Sequence, residues 1–334
     1  MGRKVFVTGG NGVNGIWIVR DLLAQGNEVV VFDQRFDDPM LADIKDDVEF
    51  IRGDVRDYPA LVRALKNSGA DSIIHLAVFI GFGAPEPFMQ YEVNASSTVN
   101  LLEAAVACGI ERMVYTSSKA AYGIVPKEHG HPNYLPITED VVGAPFPADL
   151  STFFSVYGIG KLVGEGMGMN YHHVYGLDFY ALRFGTIVAP GKLVRHGPVS
   201  IHSTLIENAM LGRTTTIKQG REQKDDIMYV KDVSQGVTKA LSANQAQSGT
   251  YNIGTGVGNS PQDMADAIQR LYPESIIDIG PGTDYMGMGV DAFCVFNIDK
   301  ARQQFGYAPE YDLDATVQDY IAMMDQYGIE PTPT

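Results

Sequence analysis

A strand-like segment that runs directly into a glycine-rich turn constrains the fold of this chain more than any other feature. Lys4 to Thr8 is followed by glycines at positions 9, 12 and 15, and then by apolar residues at helical spacing from Val13 to Gln25. This order predicts a strand, a tight turn and a helix whose amino terminus is open to a phosphate. Gly9 permits the turn, Gly12 lets a ligand approach the backbone, and Gly15 allows close packing of the helix.

The same alternation continues through the first half of the chain. Apolar runs predict further strands at Glu28 to Asp33, Val48 to Arg52, Ser72 to Ala77, Arg112 to Ser117 and Asp178 to Phe184. Between these strands, apolar residues at helical spacing predict helices at Ala60 to Asn67, Glu92 to Cys108 and Phe154 to Tyr175. Strands that alternate with helices are typical of a doubly wound parallel sheet with helices on both faces. The predicted fold class is therefore α/β, of the Rossmann type.

Beyond residue 185 the regular alternation gives way to loops that contain glycine and proline. Short strands are predicted at Thr215 to Lys218, Asp226 to Val230, Gly249 to Ile253 and Ser275 to Ile279. Ser260 and Pro261 mark the start of a helix that covers Gln262 to Tyr272. We therefore assign residues 1–185 to a dinucleotide-binding domain. Residues 186–334 form a smaller, mainly substrate-binding α/β lobe that can return strands and helices to the first domain.

A carboxylate at the end of the second predicted strand indicates which dinucleotide is bound. Asp33 stands where an adenosine ribose presents its hydroxyls, and it would repel the extra phosphate of NADP. NAD is therefore the preferred cofactor, while Arg35 keeps NADP open as an alternative. Further cofactor contacts are expected from the turn and from the ends of the third and fourth strands, at Val13, Asn14, Asp54, Val55, Leu76 and Ala77.

Two hydroxyl-bearing residues and a lysine form the predicted reaction centre. Tyr157 and Lys161 lie four residues apart in a helical pattern and share one face. An ammonium beside a phenol stabilises the phenolate, which predicts a lowered pKa for Tyr157 and a usable proton shuttle. Lys161 can also bind the nicotinamide ribose. Ser118 lies at the end of the fifth strand, on the same edge of the sheet as the glycine turn, where its hydroxyl can polarise a substrate oxygen.

The chain resembles the extended short-chain dehydrogenase/reductases of the NAD-dependent epimerase/dehydratase family. It carries that family's TGGxGxxG turn as Thr8 to Gly15, its strand-end Asp33, a serine-rich segment ending in Tyr122-Gly123, YxxxK as Tyr157 and Lys161, and DxxYVxDV as Asp226 to Val233. The resemblance extends from residue 4 to about residue 325. It implies that Ser118 is the catalytic hydroxyl and that Asn94 belongs to the cofactor site.

Departures from the family pattern bear on the substrate. Family members that act on nucleotide-diphosphate sugars share two arginines in the second lobe, but Asp225 stands at one of these positions and the segment Met286 to Asp291 at the other. A carboxylate repels a diphosphate, so we expect a small molecule that is not a nucleotide sugar. Family dehydratases place an acidic pair after the catalytic hydroxyl, whereas this chain has Lys119-Ala120, which disfavours dehydration.

Residues at the end of the sixth strand and directly after it are the expected substrate contacts. Arg183 could pair with a substrate carboxylate, or form a structural salt bridge, and Thr186 follows it. The next loop carries Lys192, Arg195 and His196. We expect these three residues to form a solvated loop face rather than a cover over the site.

The overall charge disfavours one class of partner. Against 25 Lys and Arg residues stand 40 Asp and Glu residues, and the net charge of −15 repels nucleic acid. No apolar stretch approaches the roughly 20 residues of a membrane span, no signal peptide is evident, and two cysteines indicate no disulfide framework. We expect a cytoplasmic protein with neither a membrane nor a nucleic-acid partner. The resemblance implies a homodimer.

These observations predict an NAD-dependent oxidoreductase that acts on a small hydroxyl or carbonyl compound, such as a sugar, a sugar acid or a hydroxy-amino acid. The same residues suit an epimerase that retains its NAD, and this alternative stays open. A non-catalytic NAD(P)-sensing protein is less consistent with the sequence, because a sensor has no use for a proton shuttle. No set of metal ligands is predicted.

Overall fold

Seven parallel strands form the main sheet of the protein. The computed structural model describes residues 2–80, 86–144, 153–196, 200–290 and 292–332. The strands of this sheet are β1 Lys4–Thr8, β2 Glu28–Asp33, β3 Val48–Arg52, β4 Ser72–His75, β5 Arg112–Ser118, β6 Asp178–Phe184 and β10 Gly249–Ile253. Their order is β10-β6-β5-β4-β1-β2-β3, which confirms the predicted fold class. Strand β4 ends two residues earlier than predicted, although Leu76 still donates its N–H to the carbonyl of Thr8.

Helices cover both faces of this sheet and extend into the second lobe. They are α1 Val13–Ala24, α2 Tyr58–Ser68, α3 Pro87–Tyr91, α4 Ser97–Cys108, α5 Phe153–Tyr175, α6 Lys192–His196, α7 Ile201–Met210, α8 Val230–Ser242, α9 Pro261–Leu271, α10 Asp299–Phe305 and α11 Leu313–Tyr327. A capping box of Ser260 and Asp263 starts α9. The helix predicted from residue 92 instead begins in α3 and passes through a π turn at Glu92–Ser96. No helix among these described segments is long and apolar enough to span a bilayer.

The sheet buries apolar side chains on both faces, as its near-continuous hydrophobic strands require. Val5 and Val7 pack into one core, which extends into the second lobe, while Phe6 and Phe32 pack into the other beneath α2 and α4. All four side chains are at most 1% exposed. Because alternate residues of β1 serve different cores, the register of this strand is fixed, and so is the position at which its glycine turn begins.

The second lobe contributes two small sheets beside the carboxyl edge of the main sheet. One contains β7 Thr186–Val188, β9 Asp225–Tyr229 and β11 Gly258–Asn259, and the other pairs β8 Thr215–Ile217 with β12 Ile277–Ile279. Strand β10 returns from this half of the chain and pairs with β6. As a result, the ends of β5 and β6 and the start of β7 line a common cleft.

Candidate active site

One cleft of about 1560 Å³ runs along the carboxyl edge of the sheet and between the two lobes. Most residues that the sequence predicted for the cofactor and for the chemistry line it. These are Gly9, Gly12, Val13, Asn14, Gly15, Asp33, Asp54, Val55, Leu76, Ala77, Ser118, Tyr157, Lys161 and Thr186. The dinucleotide turn and the predicted reaction centre therefore share a continuous space.

The glycine turn has the geometry of a phosphate cradle. Gly9 adopts a φ of 76°, and a Cβ atom there would lie 2.6 Å from the backbone nitrogen of Ala77. A Cβ atom on Gly15 would lie 2.4 Å from the carbonyl oxygen of Gly9. Gly12 caps α1 without a side-chain hydrogen bond, so no side chain occupies the first-turn N–H groups of this helix. These residues fit the pyrophosphate of a dinucleotide.

Asp33 lies beside this turn, at the end of β2. Its carboxylate accepts hydrogen bonds from the backbone N–H groups of Asn11, at 3.0 Å, and Gln34, at 2.7 Å. Burial raises the pKa of Asp33, while these hydrogen bonds act in the opposite direction. Each carboxylate oxygen has further acceptor capacity for a ribose hydroxyl. The Asp54 carboxylate also lines the cleft, but Arg56 binds it at 2.6 Å and holds its pKa low.

The three predicted catalytic side chains come together where α5 meets the end of β5. The Ser118 hydroxyl lies close enough to the Tyr157 phenol to oppose the rise in the pKa of that phenol. The Lys161 ammonium donates to the carbonyl oxygen of Thr116 at 2.6 Å and lies 5.4 Å from the centre of the Tyr157 ring. Ser118 also accepts a hydrogen bond from the N–H of Ala120, at 3.2 Å, so the turn that follows β5 fixes its position.

Glycines within α5 explain how the tyrosine reaches this position. A Cβ atom at Gly158 would lie 2.3 Å from the carbonyl oxygen of Ala120, and one at Gly160 would lie 3.1 Å from the Cβ of Asn94. Glycine costs about 1 kcal/mol in a helix relative to alanine, so its use here requires a packing reason. The reason is the close approach of α5 to the turn after Ser118.

Burial, rather than Lys161, dominates the pKa of Tyr157 in this structure. It raises that pKa to about 12, and the nearby Ser118 hydroxyl only partly offsets the increase. Burial also lowers the pKa of Lys161 to about 7, against the opposing effect of the Glu165 carboxylate. Desolvation therefore favours the neutral form of both side chains, and the sequence pattern does not reveal this desolvation.

Two predicted site residues have other partners. The Arg183 guanidinium is 7% exposed and forms a bidentate ion pair with Glu165, at 2.9 and 2.7 Å, so the salt-bridge alternative is correct and the substrate contact is wrong. Both amide atoms of Asn94 bind the backbone of Phe79, at 2.8 and 2.9 Å, and Asn94 does not line the cleft. It holds the chain that leaves β4.

Lys192 and Arg195 do not form the solvated loop face that we expected. Both line the cleft, and Lys192 donates to the carbonyl oxygen of Ile187. Arg195 donates to the carbonyl oxygen of Asn11 and to the carboxylate of Asp38, so it connects α6 to the glycine turn across the cleft. The side chain of His196 lies outside the described residues, as does all of Asp291.

The carboxylate of Asp225 is fully buried and already paired. It accepts hydrogen bonds from the Lys119 ammonium at 2.5 Å and from the Thr186 hydroxyl, and the Tyr285 hydroxyl lies 3.5 Å away. Lys119 therefore neutralises the charge by which Asp225 alone would repel a diphosphate. Sequence reasoning also missed Glu165 and His202 as site-related residues, because neither belongs to a motif and both depend on contacts between distant segments.

A Rossmann sheet with a glycine cradle, a strand-end carboxylate and a Ser-Tyr-Lys centre defines an NAD-dependent enzyme of the extended short-chain dehydrogenase/reductase type. The chain belongs to the NAD dependent epimerase/dehydratase family, whose model matches residues 5–254. The UDP-glucose 4-epimerase of Corynebacterium glutamicum is 26% identical to it, over 97% of each protein.

Solved structures are also similar. The UDP-glucose 4-epimerase of Thermus thermophilus, in complex with NAD, is 27% identical, with a TM-score of 0.75 over 95% of this chain and 99% of that one. MoeE5, in complex with UDP-glucuronic acid and NAD, is 25% identical, with a TM-score of 0.77 over 97% of this chain and 99% of that one. The exclusion of nucleotide sugars is therefore wrong: the similar proteins are named for nucleotide sugars or bind them.

Proposed function

We propose that the protein is an NAD-retaining epimerase that reversibly oxidises a hydroxyl group on a sugar linked to a nucleoside diphosphate. The observation on which this proposal rests is that Ser118, Tyr157 and Lys161 line the same cleft as the glycine cradle. The relatives support the substrate class, because UDP-glucose 4-epimerases and a UDP-glucuronic acid complex are among them. A net dehydrogenase with the same residues is the second candidate.

The chemistry of the chain's own residues follows from their positions. In the oxidative direction Ser118 holds the reacting oxygen by a hydrogen bond while Tyr157 accepts its proton. Lys161 orders the site through its bond to the Thr116 carbonyl, and its protonated form favours the phenolate. NAD, when bound in the cleft, supplies the hydride acceptor. In the reverse direction Tyr157 returns the proton to the oxygen.

Arg195 supports the epimerase over the dehydrogenase. An epimerase benefits from keeping one NAD through many turnovers, whereas a dehydrogenase must release NADH after each one. The side chain of Arg195 bridges α6 in the second lobe to Asn11 in the phosphate turn and to Asp38. Such a bridge across the cleft slows the exit of a dinucleotide. The Arg195→Met variant should therefore exchange its bound NAD for labelled NAD in solution faster than the parent protein does.

The direct test is incubation of the purified protein with UDP-glucose, UDP-galactose or UDP-glucuronic acid, with separation of the isomers by chromatography and absorbance of NADH recorded in parallel. Isomer formation without net NADH supports the epimerase, and stoichiometric NADH supports the dehydrogenase. Tyr157→Phe should lower kcat by about 100-fold or more while NAD stays bound. Unchanged turnover in this variant would refute the catalytic assignment.

We also propose that the protein is a cytoplasmic homodimer. Along α5, Val156, Ile159, Leu162 and Val163 form an apolar stripe with exposed fractions of 36%, 56%, 46% and 36%. A helix of the same kind on a second copy would cover this stripe. Ile159→Glu should convert the dimer to a monomer in sedimentation experiments, and a parent protein that sediments as a monomer would contradict the proposal. Cys108 and Cys294 are free thiols, consistent with a reducing compartment.

A further inference from the structure

Three basic side chains from separate parts of the chain line the second-lobe end of the cleft. Lys119 follows β5, Lys192 begins α6, and His202 lies in the first turn of α7. We call this set the basic wall. The three are close enough for the charges of Lys192 and Lys119 to lower the pKa of His202, in addition to the larger effect of its burial. The basic wall is thus one electrostatic cluster.

The charge of this cluster is only partly compensated within the protein. Asp225 neutralises Lys119 through the ion pair at 2.5 Å. Lys192 donates to the carbonyl oxygen of Ile187, and no carboxylate within the described ranges forms an ion pair with it. Burial, with the charge of Lys119 adding to it, lowers the pKa of Lys192 to about 8, so this side chain is still mostly protonated at neutral pH. A half-buried cation of this kind is stabilised by an anionic ligand.

The neutral hydrogen-bonding groups beside Lys192, on His202 and Ser200, lack hydrogen-bond partners among the described residues. His202 is 3% exposed and Ser200 is 6% exposed, yet no described atom hydrogen-bonds to either ring nitrogen of His202 or to the Ser200 hydroxyl. Ser200 caps α7 without a side-chain hydrogen bond to the helix, so it leaves first-turn N–H groups without that acceptor. Unsatisfied buried polar groups are rare in folded proteins, and several at one cleft wall indicate a ligand that binds them.

We propose that the basic wall is an oxyanion subsite, in which Lys192 forms an ion pair with an anionic group of the substrate and His202, Ser200 and the first turn of α7 supply neutral hydrogen bonds. This inference rests on the proposed function for the identity of the substrate. Two substrate groups carry the required chemistry: the diphosphate of a nucleotide sugar and the carboxylate of a uronic acid. Lys119 directly follows Ser118, so the subsite begins next to the reaction centre.

The test compares Lys192→Met with Lys192→Arg and with Lys127→Met by isothermal titration calorimetry. Lys127 is exposed and lies outside the cleft, so its variant controls for the loss of one positive charge. The probes are UDP, UDP-glucose, UDP-glucuronic acid and inorganic pyrophosphate. Loss of a charged hydrogen bond predicts a Kd about 10-fold to 100-fold higher in Lys192→Met, with a smaller change in Lys192→Arg and none in Lys127→Met. Bound NAD and the melting temperature report whether each variant is folded.

The probes separate the two sources of the anion. Weaker binding of UDP and pyrophosphate assigns the subsite to a diphosphate. Weaker binding of UDP-glucuronic acid alone assigns it to a sugar carboxylate. Equal affinity of parent and folded Lys192→Met for all four probes, or no binding of any probe by the parent, overturns the proposal. If pyrophosphate binds through Lys192 but no nucleotide sugar is converted, the subsite stands and the proposed function fails.

If Lys192→Met does not fold, the His202→Gln variant provides the test of the subsite. It removes a neutral donor and leaves every charge of the basic wall in place. We expect its Kd for the affected probe to rise by about three-fold to ten-fold, the effect of one neutral hydrogen bond. Unchanged affinity for all four probes in that variant would overturn the proposal in the same way.

Discussion

Gly158 sets the distance between the tyrosine helix and the turn that carries the catalytic serine. A Cβ atom on Gly158 would lie 2.3 Å from the carbonyl oxygen of Ala120, and real Cβ atoms essentially never approach closer than 3.0 Å. In Gly158→Ala the helix and the turn must therefore separate locally by about 0.7 Å. The neighbour is backbone, so no side-chain rotation relieves the contact.

This displacement acts directly on the reaction centre, because Tyr157 is adjacent to Gly158 and the Ala120 turn holds Ser118. A misplacement of about 1 Å in an active site can cost about 100-fold in rate. We expect Gly158→Ala to lower kcat by about 10-fold to 100-fold with little change in bound NAD. The assay is the conversion of UDP-glucose under saturating conditions, with isomers quantified by chromatography.

Two other glycines of the same helix provide matched controls. Apart from its chain neighbours and the nearby backbone of its own helix, no heavy atom of the described residues lies within 4 Å of a Cβ atom built on the exposed Gly166. Gly166→Ala should therefore keep full activity and stabilise the helix by about 0.5–1 kcal/mol. Gly160, with its 3.1 Å contact to Asn94, should give an intermediate loss. A kcat for Gly158→Ala within twofold of the parent, or equal losses in all three variants, would refute the positioning role of this contact.

Three further predictions concern charge. Asp33→Asn should raise the Kd for NAD and reduce the ratio of the NADP Kd to the NAD Kd by about tenfold, because the carboxylate that repels the extra phosphate of NADP is lost. Calorimetry measures both Kd values, and an unchanged ratio contradicts the cofactor assignment. Glu165→Gln leaves the Arg183 cation buried without its bidentate partner and should cost about 3–5 kcal/mol in urea unfolding, whereas a loss below about 1 kcal/mol would exclude that role. The folded-state pKa of Lys161, about 7, is below its usual 10.5, so the unfolded chain binds more protons between these values and stability rises with pH across that window. Melting temperatures measured upward from neutral pH should rise less steeply in Lys161→Met than in the parent, and equal slopes would contradict this.

Local patterns predicted most of the sheet and the cofactor site. Strands β1, β2, β3 and β6 match their predicted bounds, because alternating or continuous apolar residues in short runs have few other ways to be buried. The glycine turn and Asp33 were predictable for a similar reason, because each conformational or chemical requirement of this turn is met by one residue type at one position. The π turn at Glu92–Ser96 was not predictable, since helical spacing continues through it and its shape depends on contacts with the segment after β4.

The errors concern groups whose properties depend on partners far away in the sequence. Arg183 is bound by Glu165, and the pKa of Tyr157 reflects burial that no motif encodes. Such effects require the packed structure, because desolvation and ion pairing both depend on which segments meet. Motifs therefore indicate candidate reacting side chains without giving their protonation states.

Asp225 shows that the inferred substrate class also depends on contacts between residues that are distant in the sequence. As a residue in a sequence it adds a negative charge where an arginine was expected, and that change argues against a diphosphate. In the folded protein Lys119, 106 positions earlier in the chain, forms an ion pair with it, and Lys192 adds a cation to the same cleft. The local charge is then positive, not negative, at neutral pH. The electrostatic sign of a subsite must consequently be taken from all the groups that the fold brings together, and here that sum is consistent with the proposed oxyanion subsite.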